Sequence, residues 1–244
     1  MPTNPAATRQ PSFDRIARAY RTLEYLTLGR ALERCRFHFL PQLHTHAPQQ
    51  VLALGDGDGR FLARLLNENP QAQADAVDTS LAMLRLLRKQ CEANGAPAIQ
   101  LHTYHTDALT FAESPTLHPY DLVVTHFFLD CLTQPQLDLF AARLAPRLAP
   151  NALWLVSDFR IPTGPLAWPA QLFVRFLYLA FRILTGLRVT SLPNHNAALT
   201  RAGLVRIDQQ LSCAGLLTTE LWSSRPEGTL RAACPSPITG SRPQ

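Results

Sequence analysis

Residues 51–61 read VLALGDGDGRF and set the architecture of this protein. Four apolar residues predict a buried strand, three glycines follow at Gly55, Gly57 and Gly59, and a helical apolar pattern begins at Phe61. Glycine lets a ligand approach the backbone closely, and the first turn of a helix offers N–H groups without an intrahelical partner. The stretch therefore predicts a strand, a ligand-binding loop and a helix, although a plain tight turn before a helix gives the same pattern.

Two aspartates, Asp56 and Asp58, stand between these glycines. A dinucleotide would place its pyrophosphate beside them, and like charges at close range oppose binding. A ligand with positive charge, such as a sulfonium or an ammonium group, is favoured by the same carboxylates. The loop thus argues against NAD, while simple turn propensity of the Asp-Gly pair remains the alternative explanation.

Outward from this loop, short apolar runs alternate with segments of helical periodicity. The predicted strands are residues 51–54, 74–77, 99–102, 122–125 and 153–156, and the predicted helices are residues 61–66, 81–91 and 137–148. This alternation predicts an α/β protein with a parallel sheet covered by helices on both faces. The last two predicted strands, 204–211 and 216–222, form a hairpin instead of another crossover.

Two helices are predicted before the first strand, one beginning after Ser12 and one over residues 29–43. The predicted organisation has one domain with a helical lid at its start, an inserted apolar helical segment and two flexible ends. Its bounds are 1–11 for the flexible N-terminus, 12–225 for the domain, 12–46 for the lid, 162–195 for the insertion and 226–244 for the disordered tail.

Composition excludes several classes of protein. Of 244 residues, 46 % are hydrophobic and 17 % are charged, which excludes a disordered chain. The net charge of +5 is spread along the chain, and the arginines near the N-terminus are interleaved with acids. These arginines are therefore expected on a solvated helix face, and no nucleic-acid partner is expected. Five cysteines without a C-x-x-C pair predict neither disulfides nor a metal site, and residues 1–10 lack the apolar core of a secretory signal, so a cytoplasmic location is expected.

The glycine loop and three later segments resemble, in the family's order, the motifs of class I S-adenosylmethionine-dependent methyltransferases that act on small molecules. The later segments are Asp78 with Thr79 and Met83, then Asp107-Ala108-Leu109, then His126-Phe127. The resemblance spans about residues 51–222. It implies a Rossmann-like three-layer sandwich, with a mostly parallel seven-stranded sheet, a C-terminal antiparallel hairpin and N-terminal helices before it. It also implies S-adenosylmethionine as cofactor and a small, apolar or aromatic acceptor.

The resemblance assigns cofactor-binding roles to individual residues. The methionine end of the cofactor would contact Gly55, Asp56, Gly57, Gly59 and Tyr20, a tyrosine of the leading helix. The ribose would contact Asp78, beside Thr79 and Met83. The adenine would contact Asp107, Ala108 and Leu109. Structural explanations stay open: Asp78 as a helix N-cap, Asp107 as a solvated loop acid and Tyr20 as a core aromatic.

His126 and Phe127 would face the methyl group, and His126 is the first candidate for a general base, because imidazole titrates near neutral pH. Asp130 and His195 are weaker candidates. A base is optional, because the leaving group of a sulfonium is already good and alignment supplies much of the rate. Packing of His126 in the wall of the site is the structural alternative.

One position departs from the family pattern: Ala53 stands where the family usually has an acid, two residues before the first loop glycine. Asp56 or Asp58 could substitute for it. A catalytically degenerate cofactor-binding protein of the same fold is therefore an alternative function. An RNA methyltransferase is a third, weakened by the lack of an Asn-Pro-Pro-Tyr-type motif.

Residues 166–187 are rich in Leu, Phe, Tyr and Ile and are long enough to suggest a membrane span. Arg175 and Arg182 argue against a span. A lid over an apolar acceptor, or a helix that rests on a membrane surface, accommodates the arginines better, and a buried helix or subunit contact is the structural alternative. The sequence gives no indication of the oligomeric state.

Overall fold

The computed structural model describes residues 28–114, 118–185, 189 and 191–224. Seven strands form one sheet in the order β3-β2-β1-β4-β5-β7-β6. The strands are β1 Gln50–Leu54, β2 Gln73–Asp78, β3 Leu101–His105, β4 Tyr120–His126, β5 Leu148–Phe159, β6 Leu204–Ser212 and β7 Leu217–Ser224. The first five pair in parallel, and β7 pairs antiparallel with β5 and β6.

Helices cover both faces of this sheet. In the described residues the α-helices are α1 Gly29–Phe37, α2 Leu40–His46, α3 Arg60–Glu68, α4 Leu81–Ala93, α5 Ala108–Ala112, α6 Gln134–Leu144, α7 Ala167–Thr185 and α8 His195–Arg201. Alternate residues of β1 enter two separate apolar cores, with Ala53 packing beside Phe61 and Leu43 on one face and Leu52 packing beside Trp154 on the other. The predicted three-layer α/β architecture with its C-terminal hairpin is confirmed.

Three predicted element bounds were wrong. The single helix over 29–43 is two helices, because Pro41 has no N–H to donate and begins a new helix as one of the first residues of α2. The third strand begins at Leu101, since residues 98–100 form a 3₁₀ turn that leaves the Ile99 side chain 78 % exposed. The helix predicted over 137–148 ends at Leu144, because a 3₁₀ turn containing Pro146 leads into β5.

Two short helices were missed. α5 begins after Asp107 and α8 begins after Asn194, and in each case the side chain of that residue accepts a hydrogen bond from a backbone N–H of the first helical turn. The two helices are five and seven residues long, which is too short for a helical pattern of apolar residues to be recognised in the sequence.

Several predictions lie outside the described residues. They are the helix after Ser12 with Tyr20, the N-terminal segment 1–11 and the tail 226–244. Among the described residues, no helix is both long and apolar enough to cross a membrane. The segment predicted as an apolar insertion contains α7, which packs beyond the carboxyl ends of β4 and β5 through Phe173 and Leu177.

Candidate functional site

The glycine loop follows β1, where the strand order reverses between β2 and β4. At such a switch point the two neighbouring crossovers leave a crevice beyond the carboxyl ends of the strands. Gly55, Gly57 and Gly59 all have positive φ angles, of 62°, 62° and 78°. A Cβ atom on Gly55 would lie 2.6 Å from Cδ2 of Phe128, and one on Gly59 would lie 2.7 Å from the Cα atom of Leu87. The loop therefore requires glycine for both backbone conformation and close packing.

The two carboxylate oxygens of Asp56 differ in their hydrogen bonds. Its Oδ2 accepts a hydrogen bond from the N–H of Leu62, 3.2 Å away, in the first turn of α3. Its Oδ1 is buried and accepts no hydrogen bond from any described residue. Burial raises the pKa of Asp56 to about 7, although the positive charge of Arg36 acts to lower it. An unsatisfied buried acceptor is rare and fits a cationic ligand.

The second loop acid has a different role. Oδ1 of Asp58 accepts a hydrogen bond from Nε of Arg60 at 2.9 Å, and Arg60 also lies 3.7 Å from a carboxylate oxygen of Glu33. Asp58 thus belongs to an ion-pair chain that joins the loop to α1. Of the two acids proposed as substitutes at the Ala53 position, Asp56 is the better one.

Asp78 lies at the end of β2, next to the first loop glycine. The Gly55 N–H donates to the carbonyl of Val77 at 3.1 Å, which holds the loop against this strand end. Oδ1 of Asp78 accepts from the N–H of Ser80 at 2.7 Å. Ser80, in turn, is the residue that caps α4, through a bond from the N–H of Met83 to its Oγ. Asp78 is therefore not the N-cap of this helix, which removes the structural alternative considered for it.

Asp107 follows β3 and caps α5. Its Oδ1 accepts from the backbone N–H of Thr110 at 2.9 Å, and its Oδ2 accepts from the Thr110 hydroxyl at 2.6 Å. Both carboxylate oxygens therefore already have local partners. Contact between Asp107 and an adenine amino group stays a prediction. Such a contact would replace the hydrogen bonds from Thr110 or be made in addition to them.

His126 ends β4 inside the protein. His126 is only 2 % exposed, and its ring packs edge-on against the ring of Phe61, with the two centroids 4.6 Å apart. Among the described residues, neither ring nitrogen has a hydrogen-bond partner. Burial, helped by the charge of Arg36, lowers the pKa of His126 well below its ordinary value, so the imidazole is neutral. Its role as a base stays a prediction, and its packing fits the structural alternative equally well.

The next residue, Phe127, has an uncommon backbone conformation. Its φ angle is 52°, in the left-handed region that non-glycine residues rarely adopt. A 2.7 Å hydrogen bond from its N–H to the carbonyl of Ser157 and ring contact with Phe159, at 5.3 Å between centroids, hold it there. Backbone strain of this kind clusters at ligand sites.

Arg36 is a candidate site residue that the sequence analysis did not identify. Its side chain is buried, its guanidinium carbon lies 5.3 Å from the centre of the Phe127 ring, and its charge acts on both Asp56 and His126. The sequence predicts a solvated helix face for the N-terminal arginines, and for Arg36 this prediction is wrong. The missed signal is spacing: Arg36 stands four residues after Leu32 and four before Leu40, within the buried stripe.

A second group of titratable residues lies at the carboxyl ends of β4 and β5. Oδ2 of Asp158 accepts from the N–H of Asp130 at 3.2 Å, and both residues are buried. Burial raises the pKa of Asp130 to about 6; burial and the charge of Asp130 raise the pKa of Asp158 well above its ordinary value. The Tyr178 hydroxyl of α7 donates to the Asp130 carbonyl at 3.1 Å. Two buried carboxyls of raised pKa can hold protons near neutral pH.

His195 does not reach this carboxyl pair by a hydrogen bond. Its Nε2 lies 3.2 Å from Oε2 of Glu220, which also accepts from the Trp222 indole at 2.9 Å. Burial would raise the pKa of Glu220, but the hydrogen bond and charge of His195 hold it below its ordinary value. His195 is therefore a structural partner of Glu220 in this structure.

The predicted site residues thus lie along one edge of the sheet, with Gly55, Asp78, Asp107 and His126 at the carboxyl ends of four neighbouring strands or just after them. Thr79 joins β2 to β3 through its carbonyl, which lies 3.0 Å from Nε2 of His105. Within the described part of the chain, no group of three or more His, Cys, Asp or Glu side chains could hold a metal ion.

Comparisons with known proteins agree with this arrangement. Residues 52–154 match the sequence model of a family described as a methyltransferase domain. Over 112 residues the chain is 31 % identical to a malonyl-[acyl-carrier protein] O-methyltransferase of Halalkalibacterium halodurans. These residues are 46 % of this chain and 40 % of that protein. The chain therefore spans well under half of this relative in the matched region.

Solved structures share the fold at low identity. An O-methyltransferase family protein from Burkholderia thailandensis aligns with a TM-score of 0.65 and 16 % identity, over 87 % of this chain and 60 % of that one. The N-methyltransferase NodS from Bradyrhizobium japonicum, in complex with S-adenosyl-L-homocysteine, aligns with a TM-score of 0.55 and 16 % identity, over 79 % and 87 %. At such identities the likeness establishes the fold alone.

Proposed function

We propose that this chain is a class I S-adenosylmethionine-dependent methyltransferase, which transfers a methyl group from S-adenosylmethionine to a small, apolar or aromatic acceptor. The observation that carries the proposal is the glycine loop at the switch point of the sheet, with the unsatisfied Oδ1 of Asp56 buried beside it. A carboxylate at this place suits a ligand with positive charge and opposes a pyrophosphate.

The residues at the loop fit the zwitterionic methionine end of the cofactor. The ammonium group needs an acceptor, which Oδ1 of Asp56 supplies, and the carboxylate needs positive charge, which the buried Arg36 supplies. Asp78 is proposed to accept hydrogen bonds from the ribose hydroxyls. Asp107, with Ala108 and Leu109, is proposed to flank the adenine. Tyr20 lies outside the described residues, and its proposed contact with the methionine end stays a prediction.

When bound, S-adenosylmethionine supplies a methyl group on a sulfonium, which is already a good leaving group. The chain's own residues then have to align the acceptor and exclude water. Phe127 and Phe159 form an apolar wall at the ends of β4 and β5, and the inner face of α7 covers it through Phe173 and Leu177. This wall favours an apolar or aromatic acceptor.

We propose His126 as the group that accepts a proton if the acceptor loses one. Its lowered pKa keeps the imidazole in the basic form throughout the neutral range. The same burial makes it a weak base, so alignment carries more of the rate than proton transfer does. For an acceptor that needs no deprotonation, activity at saturating cofactor should therefore be constant above pH 7.

The names of the relatives support a small acceptor without identifying it. One relative methylates malonyl-[acyl-carrier protein], and a mitomycin 7-O-methyltransferase aligns with a TM-score of 0.62 at 17 % identity over 87 % of this chain and 60 % of that one. Both names specify methylation at oxygen. The single-domain organisation over 12–225 and a cytoplasmic location stay predictions.

A catalytically degenerate cofactor-binding protein remains the second candidate, because Ala53 replaces the usual acid. Asp56 offers a buried carboxylate close to the same place in the chain, which favours an active cofactor site. An RNA methyltransferase is disfavoured further by Arg36, one of the N-terminal arginines, which is buried and thus unable to contact a nucleic acid.

Calorimetric titration of the purified protein tests the proposal. S-adenosylmethionine should bind with micromolar affinity and NAD should give no heat, and Asp78→Ala should lose most of the binding. Asp208→Ala, an exposed acid on β6, is the matched control and should bind normally. Folded protein that gives no heat with S-adenosylmethionine would overturn the proposal. Tight binding without turnover on any phenol, acid or carrier-linked acceptor would favour the degenerate alternative.

A further inference from the structure

The outward face of α7 carries a row of large apolar side chains that are open to solvent. Their exposed fractions are 74 % for Trp168, 56 % for Leu172, 68 % for Phe176 and 53 % for Leu179. These four residues, the α7 stripe, recur every three or four positions and so lie on one side of the helix. The opposite side holds Val174 and Tyr178, which are buried against the protein. α7 is therefore apolar on both sides, and only one side is covered by described residues.

The charged side chains of the segment that carries the stripe all have one sign. Arg175 and Arg182 are exposed and follow the same helical spacing along one flank of the stripe. Residues 159–207 contain six arginines and neither Asp nor Glu. Elsewhere acids and arginines are interleaved, as in the ion pairs of Arg64 with Glu68 and of Arg143 with Glu113. A surface that is apolar in its centre and purely basic at its flank is complementary to an anionic apolar interface.

We propose that the α7 stripe docks on an anionic membrane surface, with its apolar side chains among the lipid headgroups and Arg175 and Arg182 at lipid phosphates. A symmetric contact between two copies through this face would bring like charges together with no acid from the same segment to pair them. The stripe lies parallel to the surface, as amphipathic interfacial helices do, with Trp168 at the headgroup level.

Docking has a consequence for the site. The inner face of α7 packs on Phe159 and Phe127 at the ends of β5 and β4, so a bilayer under the stripe would lie one helix thickness from the proposed acceptor wall. An acceptor dissolved in lipid would reach that wall directly. This consequence rests on the proposed function, whereas docking itself does not.

Tryptophan fluorescence tests docking directly, because the chain has three tryptophans and only one of them is exposed. Trp154 and Trp222 are 0 % and 1 % exposed, against 74 % for Trp168. We expect the emission of the full chain to shift to the blue with vesicles of phosphatidylcholine and phosphatidylglycerol, and to stay unchanged with phosphatidylcholine alone. Trp168→Phe should remove the shift while vesicle sedimentation still detects binding.

Two double variants separate the apolar and the electrostatic contributions. Leu172→Ser with Phe176→Ser should reduce the vesicle partition coefficient at least about tenfold, and Ile99→Ser, at an even more exposed apolar residue, should leave it unchanged. Arg175→Gln with Arg182→Gln should reduce the vesicle partition coefficient about fivefold per arginine. A rise in salt should also reduce this coefficient, whereas Arg64→Gln should leave it unchanged.

Three results would overturn the inference. One is folded protein that does not sediment with anionic vesicles, and another is equal binding to neutral and anionic vesicles. The third is a dimer, measured by sedimentation velocity, that dissociates in the Leu172→Ser, Phe176→Ser variant, since it would assign the stripe to a second copy of the chain. No cofactor is present in these assays, so their failure is distinct from failure of the S-adenosylmethionine titration.

Discussion

The carboxyl edge of the sheet has two halves that use acidic residues in different ways. In the half formed by β2 and β3, Asp78 and Asp107 accept hydrogen bonds from backbone N–H groups two or three residues further along the chain. In the half formed by β4 and β5, Asp130 and Asp158 are buried together and are 28 residues apart. The first half orders its own loops, whereas the second concentrates buried acids whose pKa values are raised.

Under the proposed function, this difference corresponds to a division between cofactor binding and acceptor binding. A cofactor shared by a whole family needs a rigid seat, and local hydrogen bonds supply that rigidity. The proposed acceptor pocket would instead be built by tertiary contacts between distant segments, such as the bond from Tyr178 to Asp130. The glycine loop lies at the boundary of the two halves, with Asp56 capping α3 and Gly55 packed on Phe128.

Gly59→Ala should give the largest effect and tests how rigid the first half is. The new Cβ would meet the Leu87 backbone at 2.7 Å, and the φ angle of 78° already strains a non-glycine residue. We expect a loss of about 3 kcal/mol in the free energy of unfolding, measured by urea denaturation. Gly203→Ala is the matched control, since its φ angle is 92° with no atom within 4 Å of the new Cβ, and it should cost about 1 kcal/mol. Equal losses would contradict the packing argument.

Asp78→Ala should reduce the affinity for S-adenosylmethionine about 30-fold, which corresponds to the loss of about 2 kcal/mol from hydrogen bonds to a charged acceptor. The variant also loses the bond from the Ser80 N–H, so unfolding has to be measured in parallel. Asp78→Asn keeps one acceptor oxygen and should recover part of the affinity. An unchanged dissociation constant in calorimetry would remove Asp78 from the cofactor site.

Asp56 predicts a pH dependence of cofactor binding. Its pKa of about 7 in the free protein leaves it mostly protonated at pH 6, and only the carboxylate attracts an ammonium group. Affinity should therefore rise about tenfold from pH 6 to pH 8, with release of about half a proton per site at pH 7. Calorimetry in buffers of different ionisation enthalpy measures the proton release. Asp56→Asn should abolish both effects, and a wild-type affinity that falls with pH would contradict the assignment.

Tyr178→Phe gives the smallest expected effect and probes the second half. Removing the 3.1 Å hydrogen bond to the Asp130 carbonyl should cost about 1 kcal/mol of stability. Because α7 covers the proposed acceptor wall, the KM for the acceptor should rise while the dissociation constant of the cofactor stays the same. A weakened cofactor affinity would show that the two halves are not separate.

The reliability of the sequence predictions follows the same division. β1, the glycine loop and α3 were predicted closely, because a continuous apolar run and turn glycines are local features of the sequence. Pro41 also signals the start of α2, and Pro146 signals the end of α6. Both bounds were predicted wrongly, because the apolar spacing continues across each proline although proline has no N–H to donate. The burial of Arg36 was not predicted, because a buried helix face that contains an arginine differs from a solvated face only in the residues that pack against it.

By itself, the sequence determined the order of strands and helices, the loop that needs three glycines and the acids that follow the strand ends, because those features depend on residues within a few positions of one another. Only the tertiary structure decided which charges are buried, which keep unsatisfied atoms and which apolar faces stay exposed. Desolvation depends on neighbours far along the chain, as with His195 and Glu220, which are 25 residues apart, so its effects on pKa and ligand binding appear only once the chain has folded.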